Sequence, residues 1–225
     1  EHLSKDPENE FLSRAPRMRI SAEFVRDMVL ASSGLLNHEI GGPSVKPYQP
    51  KGLWESATSG RGILKTYIQD HGDSLYRRGM YVFIKRTVPP PNMLIFDASN
   101  RDQCEVKRSR TNTPLQALLM LNDPVVLESA RTLAEKLSQE KSSVDEKINK
   151  AFRQIVCRQA KTKELDVIRK YFDEEKTALT KEPQKAARLL SVGESPQARI
   201  PDRPSVAALM QTILMVYNLE EVLMK

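Results

Sequence analysis

Residues 113–137 read TPLQALLMLNDPVVLESARTLAEKL, and this stretch decides the fold. Thr113, Pro114 and Gln116 supply an N-cap, a first-turn proline and the third-position partner of a capping box, after which Leu115, Leu118 and Leu119 make an apolar stripe. Asn122-Asp123-Pro124 then stops that helix and starts another, because proline suits a first turn and Asp123 is a strong cap. Val126, Ala130, Leu133, Ala134 and Leu137 recur at spacings of three and four, which gives the second helix one buried face. Two helices meet at a tight corner.

Downstream of the corner the pattern stays helical. Ser143 with Glu146 forms a second capping box ahead of Val144, Ile148, Ala151, Phe152 and Ile155, and a further helix runs through Leu165, Ile168 and Phe172. A shorter segment around Ala186 to Leu190 is expected to stop at Gly193. Val206, Leu209, Met210, Ile213, Leu214 and Tyr217 then make a broad apolar face that should be buried.

Upstream the reading changes. Ser21 caps a helix carrying Val25, Met28 and Val29 that Gly34 ends, and residues 73–86 predict another helix around Leu75, Tyr76, Met80 and Phe83. Two aperiodic tracts, Gly34 to Gly72 and Thr87 to Thr113, hold too many large apolar residues for disorder, among them Tyr48, Trp54, Ile63, Met93, Leu94, Ile95 and Phe96. The expectation is a mainly α fold with two long ordered loops packed on the helices and little or no β-sheet. Residues 1–225 form one domain in this reading, loop-rich over 34–113 and helical over 114–225.

The 225 residues are 40% hydrophobic and 28% charged, close to globular averages, and no run approaches the roughly 18 apolar residues of a membrane span. Because the chain starts at Glu1 without methionine or leader, it reads as a segment of something longer. The net charge of +6 is concentrated: residues 76–110 hold eight basic and three acidic side chains. Arg77, Arg78, Lys85, Arg86, Arg101, Lys107, Arg108 and Arg110 could therefore line an anion-binding surface, since guanidinium forks suit sulfate, carboxylate and phosphate. The bland reading is a solvated loop. No nucleic-acid motif accompanies these charges. Two cysteines and three scattered histidines offer no metal-ligand spacing, so no metal is expected.

FDASNRDQCEVKRSRTNTP, residues 96–114, concentrates the remaining chemistry. Asp97 and Asp102 are candidates for acid and base work, Cys104 for a nucleophile and Arg101 for steadying an anion; the competing reading has the carboxylates only fixing the loop. GGPSVKPYQPKGLWE, residues 41–55, lacks phosphate-loop spacing, and Tyr48 and Trp54 either present ring faces to a ligand or anchor the loop.

Taken together, GGPSVKPYQPKGLW, YRRGMYVFIKRTVPPPNMLIFDASNRDQC, RTNTPLQALLMLNDP and the closing YNLEEVLMK resemble the C-terminal part of a planctomycete-type domain of unknown function. The resemblance implies an extracytoplasmic (periplasmic or secreted) setting beside a second uncharacterised domain and a cytochrome-c-like module, which would permit a Cys104–Cys157 disulfide. It implies no cofactor in this chain, which has no CxxCH for haem. Acidic or sulfated polysaccharide is the anionic partner that company suggests, with nucleic acid excluded. Two functions remain open: a non-catalytic binding or scaffolding module, or part of a hydrolase-like active site using Asp97, Arg101, Asp102 and Cys104, completed by an N-terminal portion not present here.

Overall fold

A computed structural model describes residues 2–13, 18–58, 61–62 and 64–224; Ile63 lies outside them. The helices are α1 (His2–Lys5), α2 (Ala22–Ser33), α3 (Leu53–Thr58), α4 (Pro91–Ile95), α5 (Pro114–Asn122), α6 (Pro124–Ser138), α7 (Val144–Val156), α8 (Thr162–Lys181), α9 (Pro183–Leu189), α10 (Arg203–Tyr217) and α11 (Glu220–Leu223). Among the described residues β pairing is confined to isolated bridges, so the fold is mainly α.

Helix α10 is the centre. It is buried on nearly every side, from Val206 to Tyr217, as a helix that is apolar all round must be. It packs against α6, α7, α8 and α9, while α2 closes over α6. The Tyr217 hydroxyl reaches 2.6 Å from Ser32 Oγ, which joins α10 to α2. At the end of α2, Gly34 takes the left-handed conformation (φ +73°), and Lys136 donates to the Ser33 carbonyl at 2.7 Å.

The Asn122-Asp123-Pro124 corner forms as its chemistry requires: Asp123 accepts from the Val125 N–H at 2.8 Å and α6 starts at Pro124. The orientation of α5 differs from expectation. Gln116 and Met120 form its buried face, whereas Leu115, Leu118 and Leu121 are 52%, 56% and 42% exposed. Gln116 turns inward because its amide donates to the Ile95 carbonyl at 2.8 Å and its oxygen accepts from Thr113 N at 3.4 Å. Of the expected stripe only Leu119 packs on the core.

Residues 73–86 do not form an α-helix but two 3-10 turns, Gly72–Tyr76 and Gly79–Tyr81. Their backbone groups are claimed from outside: Asn37 N donates to the Tyr76 carbonyl, Val45 N to that of Tyr81, and Phe83 N to that of Val45, at 2.8–2.9 Å. The described residues of the two tracts thus pack as ordered loops, each interrupted by one short helix, α3 or α4. Val45, Trp54, Met93 and Phe96 are buried, with Trp54 edge-on to Tyr67.

A buried ionic cluster on α6 was not apparent in the apolar pattern. Arg131, wholly buried, lies 2.7 Å from Glu135 Oε1 and 3.8 Å from Glu128 Oε1. It also donates to the Val192 and Ser195 carbonyls at 2.9 Å. Glu128 accepts from Tyr48 and Tyr76 hydroxyls (3.0 and 2.9 Å) and from Ser195 N (2.6 Å), and Glu135 from Ala198 N at 3.1 Å. Burial, then the Glu128 charge, pushes the Tyr48 hydroxyl pKa up. Gly193 is not the end of α9, which closes at Leu189; it sits in this cluster at φ +88°, and a Cβ there would fall 2.2 Å from Glu128 Cδ. Glycine is required by the carboxylate beside it.

Candidate anion-binding cleft

Residues 96–113 form a loop closed at its base. Asp97, in the left-handed region (φ +58°) that aspartate tolerates, accepts from Thr111 N at 2.7 Å and from its hydroxyl at 2.9 Å. The first turns are set by short polar caps: Ser99 Oγ accepts from Arg101 N at 3.1 Å and Asn100 Oδ1 from Asp102 N at 3.0 Å. Further on, Arg108 clamps Glu23 of α2 with bonds of 2.8 and 2.9 Å. Burial would raise the Glu23 pKa, but the Arg108 bond, the Glu23 backbone amide, the Arg108 charge and the Ser21 hydroxyl together outweigh it and the carboxyl lies below its usual range. Across from this loop, Arg19 lies over the Phe96 ring at 5.8 Å and donates to Thr111 O (3.2 Å) and Asn112 Oδ1 (2.9 Å).

Between Arg19–Ser21 and residues 106–110 is a cleft of about 290 Å³ lined by Arg19, Ser21, Asp97, Lys107, Arg108 and Arg110. Arg108 is already paired, and Asp97 is already bonded to Thr111. Lys107 and Arg110 are exposed, while Arg19 Nε is screened from water and has no hydrogen-bond partner among the described residues. Burial lowers the Arg19 pKa, opposed by Asp97 and Glu220, and its high starting value leaves it charged. The cleft lining carries surplus positive charge beside that unused donor, which suits an anion of sulfate or carboxylate size.

The other expected site residues are dispersed. Arg77 is buried, stacks 3.9 Å from the Tyr81 ring and donates to the Pro43 and Glu39 carbonyls at 3.1 and 3.2 Å. Lys85 is buried over Trp54 and donates to Leu64 O at 2.7 Å. Neither reaches a surface. Arg78 pairs with Asp27 at 3.3 Å. Arg86 and Arg101 are exposed and outside the cleft lining. Trp54, 2% exposed, presents no face to a ligand and anchors its loop, and the Tyr48 hydroxyl is taken by Glu128. Asp102 and Cys104 are exposed, and Cys104 and Cys157 are both free, so the disulfide does not form. Among the described residues no three His, Cys, Asp or Glu side chains gather as a metal site needs. Arg19, absent from the sequence candidates, precedes the Ser21 cap by two residues, a position from which an arginine can reach back over the preceding loop.

A family model described as PSD1, protein of unknown function (DUF1553), matches residues 1–172. The chain belongs to this family. The PSD1 match includes the whole cleft and the 96–113 loop, and it ends within α8, before the central helix α10. No curated protein and no solved structure matches the chain. No helix among the described residues is long and apolar enough to cross a membrane.

Proposed function

We propose that this chain is a non-catalytic binding module whose cleft between Arg19–Ser21 and residues 106–110 takes the sulfate or carboxylate groups of an acidic polysaccharide. The observation that carries the reading is Arg19 Nε, a screened guanidinium donor left without a partner beside the exposed cations Lys107 and Arg110. The catalytic alternative has less support: Asp97 is bonded to Thr111, and Asp102 and Cys104 stand exposed rather than enclosed in a cleft with it. On this reading the module is a single domain, the C-terminal part of a larger planctomycete-type unit in an exported multidomain protein. It works without a cofactor of its own, beside domains that include a cytochrome-c-like one, and does not bind nucleic acid.

The test is binding of a fluorescent sulfated polysaccharide at low ionic strength, followed through a salt titration. Affinity should fall steeply with salt, and the double variant K107Q/R110Q should bind about tenfold or more weakly. R86Q, outside the cleft, should bind like the parent chain. No binding at low salt, or equal losses in both variants, would overturn the proposal.

A further inference from the structure

A second concavity, of about 600 Å³, opens where the 48–50 loop, α4 and the α5–α6 corner meet. Its size falls within the roughly 300–1,000 Å³ typical of small-molecule sites. Pro50, Ile95, Leu115 and Leu118 give it an aliphatic wall, and no lysine or arginine lines it. Leu115 and Leu118 belong to the stripe that α5 turns away from the core, so the wall consists of large apolar side chains that the fold itself leaves uncovered.

The polar groups of the groove are few, and their partners are decisive. Asp123 is the one carboxylate, and its oxygens already accept from Asn92 Nδ2 at 3.1 Å and Val125 N at 2.8 Å. Burial raises its pKa, against Asn92 and the Val125 amide, so the site resists added negative charge. The Tyr48 hydroxyl and the Gln69 amide are engaged with Glu128 and Glu194. Gln49 Nε2 is different: it is screened from water and donates to nothing among the described residues. An anion entering here would lose its hydration without gaining a counter-charge, a cation would find the Asp123 oxygens already engaged, and a sugar would leave most of its hydroxyls unmatched.

We infer that the groove binds a neutral, largely apolar small molecule carrying a hydrogen-bond acceptor, such as a carbonyl oxygen, that pairs with the Gln49 amide. The site is separate from the anion cleft and does not depend on it: the two share no lining residue.

Nile red is a suitable probe, being neutral, apolar and equipped with a carbonyl acceptor. Titrated into the full chain it should bind saturably with a blue-shifted emission. Leu118→Asp, at a position more than half exposed and therefore tolerant of substitution, should weaken binding about tenfold or more. Gln49→Leu, which keeps the bulk and removes the donor, should weaken it several-fold. Leu121→Asp changes an exposed leucine of the same helix outside the groove and should leave affinity unchanged, as should K107Q/R110Q. Circular dichroism melts establish that each variant is folded. Absence of saturable binding, indifference to Leu118→Asp, or an equal loss in Leu121→Asp overturns the inference. So does a dimer, seen by sedimentation, that Leu118→Asp dissociates while Nile red stays unbound; the groove would then be a protein-docking surface.

Discussion

The charges of α6 and those of the 96–113 loop are both dense, yet they do opposite work. Glu128, Arg131 and Glu135 are buried, and Arg131 is bonded to carbonyls 61 and 64 residues away. The loop's Arg101, Lys107 and Arg110 face water. A buried pair returns little net stability over an apolar substitute, but removing one member leaves the other stranded, so the cluster acts as a fastener for residues 192–198. Exposed charges contribute little to stability and are available to a ligand. Charge density in a sequence therefore points to chemistry only when the partners are known.

The most severe way to break the contrast is Arg131→Met. It strands two buried carboxylates, and chemical denaturation should show a loss of about 3–5 kcal/mol. Gly193→Ala attacks the same cluster from the backbone side, since its Cβ would overlap Glu128 at a left-handed φ. A loss of about 1–3 kcal/mol is expected in thermal unfolding, and a stability equal to the parent's would show that Glu128 can move aside. On the loop side, Asp97→Ala opens the clasp to Thr111; amide exchange should speed up over residues 98–111 while global stability drops by about 1 kcal/mol.

A titration sharpens the comparison at the surface. Arg158 bonds Glu164 and Glu221 at 2.7–2.9 Å, and its bonds, followed by that of Lys161 N, lower the Glu164 pKa from 4.5 to about 2. A depressed carboxylate contributes stability above its unfolded pKa and loses it as pH falls, here between about 4.5 and 2. Arg158→Gln should flatten the acid limb of a stability-versus-pH curve in that window; an unchanged slope would mean water already screens the pair. The smallest effects belong to Asp102→Asn and Cys104→Ser. Both should leave stability within about 0.5 kcal/mol and polysaccharide affinity unchanged; a marked loss of affinity would instead place them in the binding site.

Much of the helical framework was legible because its signals are local. Caps at Asp123 and Ser143 and the glycine stop at Gly34 need only neighbours in the chain, and all three form. Periodicity failed on α5, where it marks a stripe but not what covers it: the inward Gln116 is fixed by a carbonyl 21 residues away. It also failed at 73–86, whose backbone is claimed by residues 37–45. At the site, the run of cations was visible but not its division into buried Arg77 and Lys85, paired Arg78 and Arg108, and free Lys107 and Arg110. That division depends on partners as distant as Glu23, 85 residues from Arg108. Arg19 went unnoticed because it lies outside the basic run and matters only through the loop folded against it.

The most direct test of the binding account is a guanidinium- and amide-detected NMR titration with a sulfated disaccharide at low salt. The account predicts that the Arg19 Nε–H signal and the amides of residues 106–110 shift together and saturate, while the Arg77 and Arg78 guanidinium signals stay in place. Shifts confined to other residues, or a saturating response that leaves Arg19 Nε–H unmoved, would contradict it.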